Sequence, residues 1–95
     1  MVYGLALLFG VDRRPNQTSK RWARAVGDAV RSRRRELQLS QEKLAYAAKL
    51  DRTYISGIER GVKNPTIQTL RTLSHGLEWQ SSELLARAEA LELSE

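Results

Sequence analysis

Arg52, Thr53, Ser56, Gly57 and Arg60 are the residues of this 95-residue chain whose types and spacing point most directly to a chemistry. On a short helix capped by Asp51 they would face away from Tyr54, Ile55 and Ile58, leaving one side small, polar and basic. Such a surface fits the major groove of DNA, which admits a helix and exposes distinguishable donors and acceptors on each base pair. No catalytic set is legible. The single histidine, His75, has no second His, Cys or carboxylate cluster beside it and reads as a surface residue near a helix end. With no cysteine, no glycine-rich phosphate loop and no Ser-His-Asp pattern, the chain is expected to be a non-enzyme holding no metal and no cofactor.

The elements that must position that face follow from the spacing of apolar residues. Ser40 can cap a helix from about Gln41 in which Leu44, Ala45 and Ala48 share one side, so two short helices across a tight turn fill about residues 41–60. Ahead of them, Trp22, Val26, Ala29, Val30, Arg33 and Leu37 recur at spacings of three and four, which predicts a helix from about Trp22 to Leu37. Arg24, Arg31 and Arg35 fall on its other faces. A fourth helix should begin at Asn64-Pro65, with Asn64 as cap and Pro65 at the first helical position. Ile67, Leu70, Leu73 and Leu77 give its core stripe, and Gly76 a left-handed stop. The last helix opens around Ser81 or Ser82 and carries Leu84, Leu85, Ala88 and Leu91. The expectation is an all-α domain of five helices over residues 22–95, preceded by an arm and linker over 1–21.

That arm, MVYGLALLFGV followed by DRRPNQTSKR, is too short in its apolar part to span a bilayer, which takes roughly twenty apolar residues. No basic residue precedes the run and no small-x-small site closes it, so it does not read as an export signal. Its alternation suits a short strand buried on both faces, which could pack on the helices, pair with its copy in a dimer, or serve no role. The absence of cysteine fits a cytoplasmic protein.

Charge is unevenly spread along the chain. Residues 1–40 hold nine Lys or Arg against Asp12, Asp28 and Glu36, a net of +6. Residues 41–76 carry a net of +3, and from Leu77 onward Arg87 stands alone against five glutamates, a net of −4. A polyanion would be drawn to the first three helices and repelled by the last, with an affinity that falls as salt rises.

The segment Leu39 to Gly61, LSQEKLAYAAKLDRTYISGIERG, resembles the helix-turn-helix of the lambda-repressor and Cro type, the XRE-type regulators. The resemblance lies in the Ser-Gln opening, the Leu-Ala pair and the Tyr-Ile-Ser-Gly-Ile-Glu-Arg-Gly ending, and it covers about Val26 to Ala90. It is similar above all to small controller proteins of restriction-modification systems, in which such a run is followed by an Asn-Pro-Thr step, here Asn64, Pro65 and Thr66. Two positions depart from the pattern. Lys49 stands where many relatives place the turn glycine, and Gly57 where phage relatives carry a long polar side chain.

The resemblance implies a lambda-repressor-like fold and a sequence-specific transcriptional regulator that binds double-stranded DNA as a homodimer. Two copies would sit on a near-palindromic operator with half-sites roughly 34–36 Å apart. Arg52 and Thr53 match the first recognition positions, where Arg52 would grip guanine O6 and N7, and Ser56, Gly57 and Arg60 follow. Glycine at 57 suggests close approach to the groove or to the neighbouring helix, and leaves DNA shape or Arg60 to supply further specificity. Gln41 would hold a phosphate at its helix N-terminus, and Lys43, Lys63, Asn64 and Thr66 are candidate backbone contacts. Arg34 and Glu59 match a buried ion pair that fixes the recognition helix to the first helix. In many relatives the last helix forms the dimer interface, for which Trp79, Leu84, Leu85, Ala88 and Leu91 are candidates, although some of these could equally close the monomer core. Protein concentration would then set occupancy. The alternative is an antitoxin or adaptor using the same fold for protein-protein binding through its N-terminal arm.

Overall fold

The computed structural model describes residues 15–94, with side chains from Lys20 onward. Five helices form: α1 (Pro15–Glu36), α2 (Gln41–Ala48), α3 (Arg52–Glu59), α4 (Ile67–Gly76) and α5 (Ser81–Leu93). The fold is all-α, with no strand among the described residues. Most of the apolar arm, with its expected strand, lies outside the described residues. No described helix is long and apolar enough to cross a membrane.

Helix α1 begins at Pro15, well before the Trp22 start that the apolar spacing predicts, and so takes in residues assigned above to a linker. The polar composition of that stretch suggested a loop, yet after Pro15 it contains no glycine or proline, and Pro itself suits a first helical position. Once the amphipathic part is fixed by packing, each added residue extends the helix at little further cost.

The helix-turn-helix is closed by caps at each turn. Ser40 accepts the Lys43 amide at 3.0 Å, and Asp51 accepts the Thr53 amide at 2.8 Å. Between them Lys49 adopts φ 58°, ψ 44°, the left-handed conformation that glycine usually supplies, while the Leu50 amide closes onto Ala45 O at 2.9 Å. Lys49 thus holds, without glycine, a backbone conformation that costs a side-chain-bearing residue roughly 1–2 kcal/mol.

Helix α4 starts later than Asn64-Pro65. Thr66 is its N-cap, accepting the Thr69 amide at 3.1 Å and bonding the Thr69 hydroxyl at 3.0 Å, so Pro65 precedes the cap and Ile67 is the first helical residue. At that edge position Ile67 is 88% exposed and drops out of the core stripe, which Leu70, Leu73 and Leu77 continue. Gly76 is not the left-handed stop; Glu78, at φ 57°, takes that conformation. Gly76 is instead a close approach, since a Cβ there would lie 3.2 Å from Ala48 Cβ, Ala48 N and Leu44 Cδ1. Helix α5 opens with the Gln80 amide donating to the Glu83 carboxylate at 2.9 Å.

Every helix contributes to one core: Val26, Ala29 and Val30 from α1, Leu44 and Ala45 from α2, Ile55 and Ile58 from α3, Leu73 from α4, and Leu84 and Ala88 from α5. Each fully buried Leu or Ile contributes about 1.5–3 kcal/mol. Helix α1 is the spine, packed most extensively on α5 and next on α3. At the α1–α5 seam the Arg33 and Arg87 guanidiniums each lie 4.9 Å from the centre of the Trp79 ring. Arg87 also bonds Glu36 at 3.0 Å, and that bond, together with one from Arg33, holds the Glu36 carboxyl below its ordinary range.

Candidate nucleic-acid interface

Helix α3 buries Ile55 and Ile58 completely and turns Arg52, Thr53 and Arg60 to solvent, as the spacing predicts. Ser56 is half-buried. Gly57 is buried, which departs from the outward face expected of it: the Lys63 side chain covers it, and a Cβ at Gly57 would sit 2.7 Å from Lys63 Cγ. The nearest neighbour at this glycine is the loop after α3, where the groove or the neighbouring helix was expected.

The orientation of α3 is set by a buried cluster around Glu59, whose side chain is 1% exposed. Arg34 grips that carboxylate with two bonds, Nε to Oε2 at 2.6 Å and Nη2 to Oε1 at 3.0 Å. Its Nη1 also donates to Leu39 O at 2.8 Å, tying α1 to the turn before α2. Arg31 adds a bond to the Glu59 carbonyl at 3.2 Å and lies 3.5 Å from its carboxylate. Burial acts to raise the Glu59 carboxyl, but hydrogen bonds from Arg34 and Gln41 and the charges of Arg34 and Arg31 together hold it below the usual carboxylate value. Arg34 in turn is pushed up, chiefly by its bond to Glu59.

Gln41 joins this cluster to the outward face. Its Nε2 donates to Glu59 Oε1 at 3.0 Å, and its Oε1 accepts from Arg52 Nη1 at 3.3 Å. The resemblance implied a phosphate contact for Gln41 and a place among the readers for Arg52; it gave no sign that the two side chains touch. Arg31 was also missed, because helical spacing shows only that it leaves the core stripe.

Of the remaining candidates, Lys43, Lys63 and Asn64 are exposed, and the Thr66 hydroxyl is engaged in the α4 cap. Arg60, Lys63 and Asn64 line one groove at the C-terminal end of α3. Among the expected dimer residues, Leu84 and Ala88 are fully buried in the monomer core and are withdrawn from any surface. Trp79 and Leu91 are partly buried against that core, and Leu85 is half-buried.

A short helix held across a tight turn, with polar and basic side chains outward and a buried carboxylate anchoring its last residue, defines a helix-turn-helix unit. The helix-turn-helix family model matches residues 30–84, more than half of the chain, and the chain belongs to that XRE-type family. It is 47% identical over 47 residues to the control protein C.BamHI of Bacillus amyloliquefaciens, covering 50% of this chain and 58% of that one, so it spans little more than half of that relative. It is 42% identical over 62 residues to the control protein C.SmaI of Serratia marcescens, covering 65% of this chain and 74% of that protein. The restriction-modification controller protein C.Esp1396I, solved as a tetramer in complex with its natural 35 base-pair operator, superimposes with a TM-score of 0.71 and 38% identity, over 76% of this chain and 95% of that one. All three relatives are control or controller proteins by name.

Proposed function

We propose that this protein is a sequence-specific DNA-binding transcriptional regulator that acts as a homodimer on a near-palindromic operator, with α3 in the major groove. The observation that carries the reading is Arg52, exposed at the start of α3 and held in place by Gln41. An arginine there offers paired donors to guanine O6 and N7, discriminating against other bases by about 1–3 kcal/mol. Thr53 beside it can bond a base or press its methyl against thymine. The likeness to C.Esp1396I, a protein solved on its operator, supports the reading. A single helix reads few base pairs, so two copies on half-sites about one helical turn apart supply the affinity. Leu85 and Leu91 on α5, together with the 86% exposed Leu93, are the residues proposed for the pairing face.

The test is selection of bound duplexes from a random library at roughly 150 mM salt, with wild type and Arg52→Ala in parallel. Wild type should enrich an inverted repeat, and the variant should relax it at one symmetric base pair. Failure of wild type to enrich any motif would refute the reading.

A further inference from the structure

The family model begins at residue 30, so the N-terminal half of α1 lies ahead of it, and that half carries basic residues that the interface described above does not use. Lys20 and Arg24 form one wall of a groove of about 400 Å³ whose other wall is Arg60, Gly61, Lys63 and Asn64, directly after α3. Gly61, at φ 76°, makes the turn that closes the two walls: a Cβ there would lie 3.1 Å from Arg24 Cα, so the loop can come this near to α1 only without a side chain. Lys20, Arg24, Arg60 and Lys63 are all exposed, and among the described residues none of them is paired with a carboxylate. Four like charges facing one opening repel each other and attract an anion.

We infer that this groove is a phosphate-binding site that grips the sugar-phosphate backbone of the operator beside the major groove. The inference rests on the DNA-binding reading above and assigns it a contact from a stretch of α1 that the matched family model does not cover. Geometry selects the duplex backbone as the anion. Helix α3 has eight residues, hence a length of about 12 Å, and the major groove is about 12 Å wide. With Arg52 against the bases, the far end of α3 reaches the edge of the groove, where the phosphates run. Arg60 and Lys63 stand at that end, and the early turns of α1 bring Lys20 and Arg24 alongside.

The experiment is the salt dependence of operator binding by wild type and by the double variant Lys20→Ala/Arg24→Ala. Both positions are exposed and helical, so alanine preserves α1, which a thermal melt verifies. Each lost phosphate contact flattens the slope of log affinity against log salt by about 0.9, so two contacts per protomer flatten it by about 1.8. For a dimer, the loss of affinity between roughly 50 and 200 mM salt should shrink on the order of 100-fold, with the selected base sequence unchanged. An unchanged slope, with wild type still selecting its motif, overturns the groove site and leaves the DNA-binding reading standing. Wild type that selects no motif overturns both. Inorganic triphosphate bound by wild type and not by the double variant, with equal duplex slopes, would put a free anion in the groove and equally overturn the proposal.

Discussion

Replacing Arg34 with alanine tests whether the buried ion pair is what fixes α3. The substitution removes two bonds to the Glu59 carboxylate and one to Leu39 O, and leaves a carboxylate whose side chain is 1% exposed without its main partner. Breaking one side of a buried pair costs about 3–5 kcal/mol. The low end applies, since Gln41 still donates at 3.0 Å and Arg31 remains 3.5 Å away. A loss of about 3 kcal/mol corresponds to roughly 12–24 °C in melting temperature for a domain of this size. Urea unfolding at pH 7 should show it as a lower midpoint with an unchanged slope. The pH dependence identifies the cause. In wild type the Glu59 carboxyl lies below its unfolded value, so its contribution is complete above about pH 4.3 and is lost as pH falls through the lower folded value. In the variant, burial outweighs the remaining partners and raises that carboxyl, so protonation relieves the stranded charge and the gap to wild type narrows from pH 7 to pH 4. A difference under about 1 kcal/mol at pH 7, or one that stays constant down to pH 4, would refute a buried pair as the anchor.

The glycines and the left-handed lysine give further tests by thermal melting. Gly27→Ala should destabilise by about 2 kcal/mol despite the helix propensity of alanine, because a Cβ would lie 2.3 Å from Ile58 O and 2.9 Å from Glu59 O, backbone that can yield only by separating α1 from α3. Gly57→Ala meets only the flexible Lys63 side chain, so its melting temperature should hold or rise, and a fall would contradict the account of that contact. Lys49→Gly should stabilise by about 0.5–1 kcal/mol, relief of the left-handed strain being partly offset by the freer unfolded chain; no gain would mean that the cap is unstrained.

Periodicity reached the core of this fold because all the buried apolar positions of α2 and α3, and most of those of α1, α4 and α5, recur at helical spacing. It failed where ends and neighbours decide. Asn64 read as the cap because Pro65 suits a first helical position; the cap is instead Thr66, whose hydroxyl meets both the amide and the hydroxyl of Thr69 three residues on. Gly76 looked like a stop because glycine at a helix end usually is one, but its cause is α2 pressing against it, a contact between residues far apart in sequence. Arg33 was placed in an apolar stripe by its spacing alone, and its position is explained by the Trp79 ring and the Leu77 carbonyl that it meets, the latter at 3.0 Å. In the candidate site, residue types were legible while partnerships were not, since a hydrogen bond such as Gln41 to Arg52 depends on rotamers that no pattern encodes.

That hydrogen bond joins stability to reading. Gln41 has two N–H donors and one carbonyl oxygen; one donor meets Glu59 and the oxygen meets Arg52, so a second N–H remains for a phosphate. Arg52 has five donors and gives one to Gln41, leaving the rest of its fork for a guanine edge. The phosphate role implied by the resemblance and the contact found in the structure are therefore compatible on the same side chain. An unrestrained arginine loses up to about 2 kcal/mol of rotamer freedom when it is ordered. Part of that loss is taken during folding if Gln41, itself anchored to a carboxylate that Arg34 grips, already restrains Arg52. The charge that fixes α3 against α1 and the charge offered to the bases are thus two ends of one hydrogen-bonded chain, buried at Glu59 and exposed at Arg52.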